Sequence, residues 1–506
     1  MALITRLIIQ FIKFWLLVYA KLALNIKFAV NFTIKLMEEI LTQYKLAFGK
    51  QPESCSALTA QGSSRQYFRL TGPANVIGTL GSDIRENRAF IHLSNLLSSK
   101  GLPVPRVSAV SADGLCYFQD DLGDISLYDL ISNRGLSDPE LNNLLSKTMH
   151  ILASVHTADL SGMDWSVCFP RPEMDRRAIL WDLNYFKYCF LKPTGIEFDE
   201  EKLENEFQYL CSLIESQPLR GLMLRDFQSR NIMIHNHEPW IIDFQGARKG
   251  PQLYDLASFL WQARIALPDD LRMELAEGYI CELRARGKVI DGHWKRNLHI
   301  MALFRMLQVL GAYGFRGLQQ HKAQFVTSIP AALQNAISLL NSLSDSNLSY
   351  IGSLISRVAK LPHFLHQEKS GKLKVKVYSF SYKKGIPEDF SGNGGGFVFD
   401  CRAVHNPGRY DEYKQLTGRD KPVIDFLERD GEILDFLRSC AELVDRSVAR
   451  YIKRGFTDLS VSFGCTGGRH RSVYSAEWMA HHIVDNFECD VQLIHRERGV
   501  TEYLKH

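Results

Sequence analysis

Apolar positions along the 506-residue chain switch between two periods. Strict alternation in Gln66-Tyr67-Phe68-Arg69-Leu70 predicts a strand, and short apolar runs over Asn75–Leu80 and from Val107 to Phe118 predict others. Spacing of three to four predicts helices over Met37–Phe48, Arg85–Lys100 (apolar at Phe90, Leu93, Leu96 and Leu97) and Leu141–Thr157. Near the middle, Ile232-Met233-Ile234 and Trp240-Ile241-Ile242 flank a turn and predict a hairpin. Helical runs then extend from Asp255 to about Ala359. After the polar segment QEKSGK, Leu373–Phe380 alternates, Gly394–Phe399 and Leu459–Phe463 predict two more strands, and Val473–Asn486 a helix. The pattern divides the chain into a larger domain over 37–358, a linker over 359–372 and a smaller α/β domain over 373–506.

Residues 1–36 stand apart. They are apolar and aromatic, with Arg6, Lys13, Lys21, Lys27 and Lys35 at intervals of six to eight and no acidic residue. No uninterrupted apolar run reaches the roughly 18–20 residues of a spanning helix, so no transmembrane span is expected. The segment is read as upstream sequence translated in frame with a start at Met37, against the alternative of an interfacial amphipathic anchor. The formal charge of +4 comes largely from these five residues, and the rest of the chain gives no broad basic field for nucleic acid. Ten cysteines without a C-x-x-C pair indicate neither a zinc site nor a disulfide framework, and fit a cytoplasmic location.

The candidate chemistry is concentrated in Leu222–Gln262. Asp226 follows one apolar run, Asn231 stands five residues on, and the second strand of the hairpin delivers Asp243. A carboxylate, an amide and a second carboxylate in this order are what phosphoryl transfer needs: one group to accept a hydroxyl proton, two to hold Mg²⁺ on nucleotide phosphates. The stretch resembles the aminoglycoside phosphotransferase branch of the protein-kinase-like fold, and most closely its bacterial cell-wall amino-sugar kinases. The resemblance implies an α+β bilobal kinase-like domain using ATP and Mg²⁺, with Asp226 as catalytic base and Asn231 and Asp243 as metal ligands. It also implies that Asp255, in YDLAS, braces the catalytic loop. Leu224 stands where protein kinases carry a scaffold His.

In the preceding half, Gly62-Ser63-Ser64-Arg65 leads into a strand. Small residues at such a turn let backbone N–H groups approach phosphates, so Ser63, Ser64 and Arg65 are assigned to nucleotide binding. Related kinases place a phosphate-binding Lys in the next strand, and Asn75–Leu80 has none; Arg65 and Arg69 are the candidates to replace its charge. Glu86 reads as a solvated helix residue, though the family's lobe-bridging helix often carries an acid there. Gln119, Asp120 and Asp121 mark the expected hinge reading the adenine edge. His156, in LASVHTAD, reads as structural. Asp182 and Asn184, among aromatic residues, and Arg230 are assigned to a sugar acceptor.

In the second domain a strand runs into Gly464-Cys465-Thr466-Gly467-Gly468-Arg469-His470-Arg471-Ser472 and then a helix. A Gly-rich turn at a helix N-terminus presents free N–H groups and the positive end of the helix dipole to an anion. SFSYKKGIP, VFDCRAVHNP, TGRDKPV and GCTGGRHRSVYSAE resemble the C-terminal domain of RapZ-type RNase adapter proteins over about 375–498. That resemblance implies an amino-sugar phosphate pocket lined by Asp400, Arg402, Thr417, Gly418, Cys465, Thr466, Gly467, Gly468, His470 and Arg471, and small RNA as a partner. The family's usual Walker-A half is absent. Cys465 and Arg471 also stand at the C-x₅-R spacing of cysteine-dependent phosphatases.

The expected function is an ATP-dependent phosphotransferase acting on a sugar or amino sugar, of N-acetylmuramate or N-acetylglucosamine type at its anomeric hydroxyl, fused to a phosphosugar-sensing domain. The alternative is a non-catalytic adapter that binds small RNA or an amino-sugar phosphate.

Overall fold

The computed structural model describes residues 36–504 except 59–64, 137, 321, 362–363, 365–371 and 388–395. The N-terminal extension, Ser63, Ser64 and most of the expected linker lie outside the described residues.

A five-stranded antiparallel sheet in the order β1-β2-β3-β5-β4 opens the fold, from β1 (Ser54–Leu58), β2 (Gln66–Thr71), β3 (Val76–Leu80), β4 (Val107–Val110) and β5 (Cys116–Asp120). Period-two alternation gives this sheet two different faces. Phe68, Gly78 and Phe118 are in register across β2, β3 and β5 and face helix α1 (residues 36–48), whose Ile40 and Tyr44 complete a buried cluster. Gly78 is required here, because a Cβ would stand 2.8 Å from Ile40. The other register row, Tyr67–Thr79–Tyr117, shares the opposite face. Helix α2 (Ile84–Ser99) is capped by the Asp83 side chain and turns Phe90, Leu93 and Leu97 inward.

The second lobe is mainly helical. It contains α3 (Leu127–Arg134), α4 (Pro139–Thr157), α5 (Arg176–Phe186) and α6 (Glu200–Glu215). Two short two-stranded sheets follow, pairing β6 (Arg220–Met223) with β9 (Arg248–Pro251) and β7 (Ile232–His235) with β8 (Glu238–Ile241). Then come α7 (Leu253–Leu260), α8 (Asp269–Ala285), α9 (Trp294–Tyr313), α10 (Ala323–Val326), α11 (Ile329–Leu343) and α12 (Ser349–Ala359). Among the described residues, one helical stretch, Trp294–Gln319, has the length and composition of a membrane-crossing helix, and 67% of its apolar stretch is buried in the protein.

The C-terminal domain holds a mixed sheet in the order β11-β12-β10-β13-β14. Its strands are β10 (Lys374–Ser381), β11 (Gly396–Asp400), β12 (Asp458–Cys465), β13 (Asp490–His495) and β14 (Val500–Leu504), with only β14 antiparallel to its neighbour. Val375, Val377, Val461, Phe463, Val491 and Leu493 share one core with α14 (Glu432–Arg454) and α15 (Arg471–Asn486); α13 (Lys421–Glu428) adds Val423 and Leu427. The chain falls into two compact units, and the second also takes in Cys189–Ile196 and Ala312–Pro330. A cut at 358 therefore does not separate the units cleanly. Gly314 explains part of this, since a Cβ there would meet the Cys189 carbonyl at 2.2 Å, so only glycine allows that approach.

Candidate active site

The loop after β6 carries the central residues, and its backbone is held from below. Asp255 in α7 is fully buried and accepts hydrogen bonds from the backbone N–H of Leu224 at 2.6 Å and of Arg225 at 2.7 Å. His156 bonds the same carboxylate at 3.0 Å through Nε2 and reaches the Tyr279 hydroxyl at 2.7 Å through Nδ1. This chain belongs to the interior and not to the cleft. It lets Arg225 adopt φ 73°, a left-handed conformation that costs a non-glycine residue roughly 1–3 kcal/mol.

Directly after that backbone turn, the Asp226 side chain is 39% exposed. Asn231 lies beneath it and donates through Nδ2 to the Asp226 carbonyl at 2.8 Å. Asp243, also at positive φ (61°), lies 3.4 Å from the same Nδ2, and Gln245 donates to its carboxylate at 2.9 Å. The structure thus brings Asp226, Asn231 and Asp243 together from two loops. Burial would raise the Asp226 pKa, but the charges of Arg305, Arg225 and Arg230 outweigh it and hold the carboxyl below its ordinary value.

Arg305 carries no motif in the sequence reading. It stands in the apolar helix α9, is buried, and donates to Asp226 Oδ1 at 3.2 Å and to the Tyr254 hydroxyl at 3.0 Å. A lone arginine in an apolar helical run was the available signal, because buried arginines are almost always paired.

Other expected site residues fall into different positions. Asp182 is buried and paired with Arg225 at 3.0 Å, so it orients the loop and does not present a free carboxylate to an acceptor. Asn184, on α5, is half-buried, and Arg230 is exposed beside Asp226. At the hinge, Gln119 donates to Thr79 at 3.4 Å and the Asp120 carboxylate accepts from the Arg106 amide at 2.9 Å. Asp121 pairs with Arg69 at 2.6 Å, and Arg69 also grips Asp124 at 2.7 Å. The side chains of Asp120 and Asp121 therefore shape the hinge, and the Asp120 amide is itself used, donating to the Arg106 carbonyl at 3.1 Å. Glu86 is not a solvated surface acid: its carboxylate lies 3.2 Å from the buried Arg65 guanidinium.

In the C-terminal turn, Cys465 accepts a hydrogen bond from the Gly468 amide at 3.2 Å and lies 3.1 Å from the Ser472 hydroxyl. Burial pushes this thiol up, yet bonds from Ser472, Arg469 and Gly468 outweigh burial and lower its pKa. Thr466 and Gly467 are exposed at the tip. Gly418 packs against the turn, its amide donating to the Arg469 carbonyl at 3.0 Å, while Thr417 is fixed to Asp420 at 2.7 and 2.8 Å. Asp400 is partly exposed and pairs with Arg402 at 2.6 Å; that bond lowers its pKa. His470 contacts the Tyr413 carbonyl at 2.9 Å. Arg471 does not open into a pocket: it is buried and donates to the carbonyls of Arg402 and Val404 at 3.0 and 2.7 Å. Its guanidinium ties down the exit of β11, which weakens the phosphatase alternative.

Comparison with known proteins finds a family match in each half of the chain. Residues 54–290 match the model of the phosphotransferase enzyme family, and residues 373–499 that of the RapZ C-terminal domain. The match to the phosphotransferase family thus precedes a separate match to the RapZ C-terminal domain in one chain. A nucleotide-binding protein of Xylella fastidiosa (strain 9a5c) is 41% identical over 128 residues, covering 25% of this chain and 42% of the relative. One from Acidithiobacillus ferrooxidans (strain ATCC 53993 / BNL-5-31) is also 41% identical over 128 residues, covering 25% and 41%. The chain spans less than half the length of these curated relatives. Among solved structures, ADP-bound aminoglycoside phosphotransferase APH(2″)-Ib is 14% identical with a TM-score of 0.43, covering 60% of this chain and 98% of that one. A choline/ethanolamine kinase family protein from Mesorhizobium loti is 13% identical with a TM-score of 0.40, covering 60% and 92%.

Proposed function

We propose that the first domain transfers the γ-phosphoryl group of ATP to a hydroxyl of a sugar or amino sugar. The convergence of Asp226, Asn231 and Asp243 in one cleft carries this reading. Asp226 accepts the acceptor's proton, and its low pKa keeps it ionised at neutral pH. Asn231 spends its Nδ2 on the Asp226 carbonyl, which leaves Oδ1 as an oxygen ligand beside the Asp243 carboxylate. Two hard oxygen donors fit Mg²⁺, with phosphate oxygens and water as further ligands. Such a cation would neutralise charge on the transferring phosphoryl group.

The C-terminal turn, with its exposed Thr466–Gly467 tip and helix dipole, supports binding of a phosphosugar, and an acceptor or product of related chemistry would couple the halves. The other reading, an adapter for small RNA or an amino-sugar phosphate, draws on the absence of a lysine from β3. The test is ATP consumption across sugars, amino sugars and aminoglycosides, with Asp226→Asn as the blank. Turnover confined to one amino sugar supports the kinase. ATP binding without turnover on any acceptor moves the assignment to the adapter.

A further inference from the structure

Two thiols meet under the C-terminal turn. β11 and β12 run parallel, with Phe399 opposite Phe463 and Asp400 opposite Gly464. The next pair in that register is Cys401 and Cys465. The Cys401 amide donates to the Gly464 carbonyl at 2.8 Å, which carries the pairing one residue beyond β11. Side chains repeat their face every second residue, so the two cysteines share a face with Phe399 and Phe463. Those two rings are in contact, with centroids 5.3 Å apart. Helix α15 covers both sulfurs: Cys465 Sγ lies 3.1 Å from the Ser472 hydroxyl, and Cys401 Sγ lies 3.6 Å from that of Ser475, one turn along. Neighbouring strands stand about 4.7–4.9 Å apart, within the roughly 4.4–6.8 Å of Cα separation that a disulfide spans.

The two thiols are unequal. Cys465 accepts the Gly468 amide at 3.2 Å beside the N-terminus of α15, where free N–H groups favour a thiolate. It lies directly before the exposed Thr466–Gly467 tip, on the side where a small oxidant arrives. Cys401 is fully buried, and burial raises its pKa, so it keeps its proton until a partner sulfur is activated.

We propose that Cys401 and Cys465 are a peroxide-sensitive pair whose disulfide disables the anion turn. The Cys465 thiolate attacks one oxygen of hydrogen peroxide, the O–O bond breaks, and hydroxide leaves, giving a sulfenic acid on Cys465. The Cys401 sulfur then attacks the Cys465 sulfur, the S–O bond breaks, and the departing hydroxide takes the Cys401 proton as water. Two thiols lose two electrons in all, and one peroxide becomes two waters, the first hydroxide taking up the proton that Cys465 released on ionising. In the disulfide the Cys465 sulfur turns toward β11 and gives up its contacts with Gly468 and Ser472, which order the amides of the turn. A thiol reductant restores them. The loss of ligand rests on the reading of this turn as an anion site; the disulfide does not.

The test treats the full chain with limiting hydrogen peroxide and maps its cysteines by non-reducing peptide mass spectrometry, with the exposed Cys281 as internal control. A Cys401–Cys465 link should form while Cys281 is still a thiol. Cys401→Val keeps the core filled and should carry Cys465 on to the sulfinic acid, which dithiothreitol does not reverse. In calorimetric titration with inorganic phosphate, oxidation should weaken binding by roughly 10-fold or more, and dithiothreitol should restore it. Oxidation of Cys281 with Cys401 and Cys465 left as thiols, a link from Cys465 to Cys440 instead, or equal phosphate affinity in reduced and oxidised protein overturns the proposal. Failure of the reduced chain to bind phosphate would remove the anion reading of the turn. The mass spectrum of the unaltered chain decides the disulfide in that case too, and also if Cys401→Val does not fold.

Discussion

Arg305 Nη2 stands 3.2 Å from Asp226 Oδ1, a buried arginine from α9 holding the carboxylate that follows the left-handed Arg225. The contact holds the Asp226 carboxylate and helps to lower its pKa from 79 residues away in sequence.

Removing that charge should move the pH profile. Because Arg305 helps to depress the Asp226 pKa, the acidic limb of kcat/KM for the unaltered protein should lie below the ordinary carboxylate range. Arg305→Met should shift it upward and lower kcat by about 10-fold or more, with KM for ATP less affected. The stability linkage has the same sign: the Asp226 contribution is present above its unfolded pKa and lost as pH falls through the folded one. Rate profiles extended down to about pH 3 check the first, and denaturant unfolding over the same range checks the second.

Asp226→Asn should abolish transfer and leave nucleotide affinity nearly intact, since Asp226 contacts neither Asp243 nor the hinge side chains described above. Single-turnover assays beside ATP titration separate the two effects. Retained turnover would remove Asp226 from the role of base.

Asp243→Asn should raise the Mg²⁺ concentration needed for ATP binding by roughly 10-fold or more, because a charged oxygen ligand becomes neutral. Titrating Mg²⁺ at fixed ATP measures this, and an unchanged requirement would count against Asp243 as a ligand.

Asp255→Ala should destabilise the first domain by about 2–5 kcal/mol, because it strands two buried amides and the partner of His156. Loss of activity should accompany the loss of stability as the Arg225 turn relaxes. Denaturant unfolding followed alongside activity would show the two falling together.

Gly418→Ala should perturb the second domain alone. A Cβ there would lie 2.2 Å from the His470 carbonyl, so the anion-binding turn must move, at a cost of about 1–3 kcal/mol. Binding of an amino-sugar phosphate should be lost and kinase turnover without that ligand should persist; calorimetry and the ATP assay read the two.

Much of this site was legible because its motifs are local. Asp226, Asn231 and Asp243 lie within 18 residues, and the strand–turn–strand pattern between them makes their approach nearly obligatory. The Gly464–Ser472 turn was legible for the same reason: strand, glycines and helix follow without a break. Less legible were charges whose partners are distant in sequence. Asp182 pairs with Arg225, Arg69 with Asp121, Arg471 with the carbonyls of Arg402 and Val404, and Glu86 with Arg65. Sequence alone marks such a residue only as polar and therefore open to ligand.

By itself, then, the sequence determined the order of elements, the two domain classes and the nearness of Asp226, Asn231 and Asp243, because periodicity and short-range spacing express backbone geometry directly. Tertiary structure decided which charges remain for a ligand. Strand register sets Thr79 between two tyrosines, helix packing brings Arg305 under Asp226, and burial demands that each interior charge find a partner. Those choices depend on contacts between distant segments, and no local pattern in the chain encodes them.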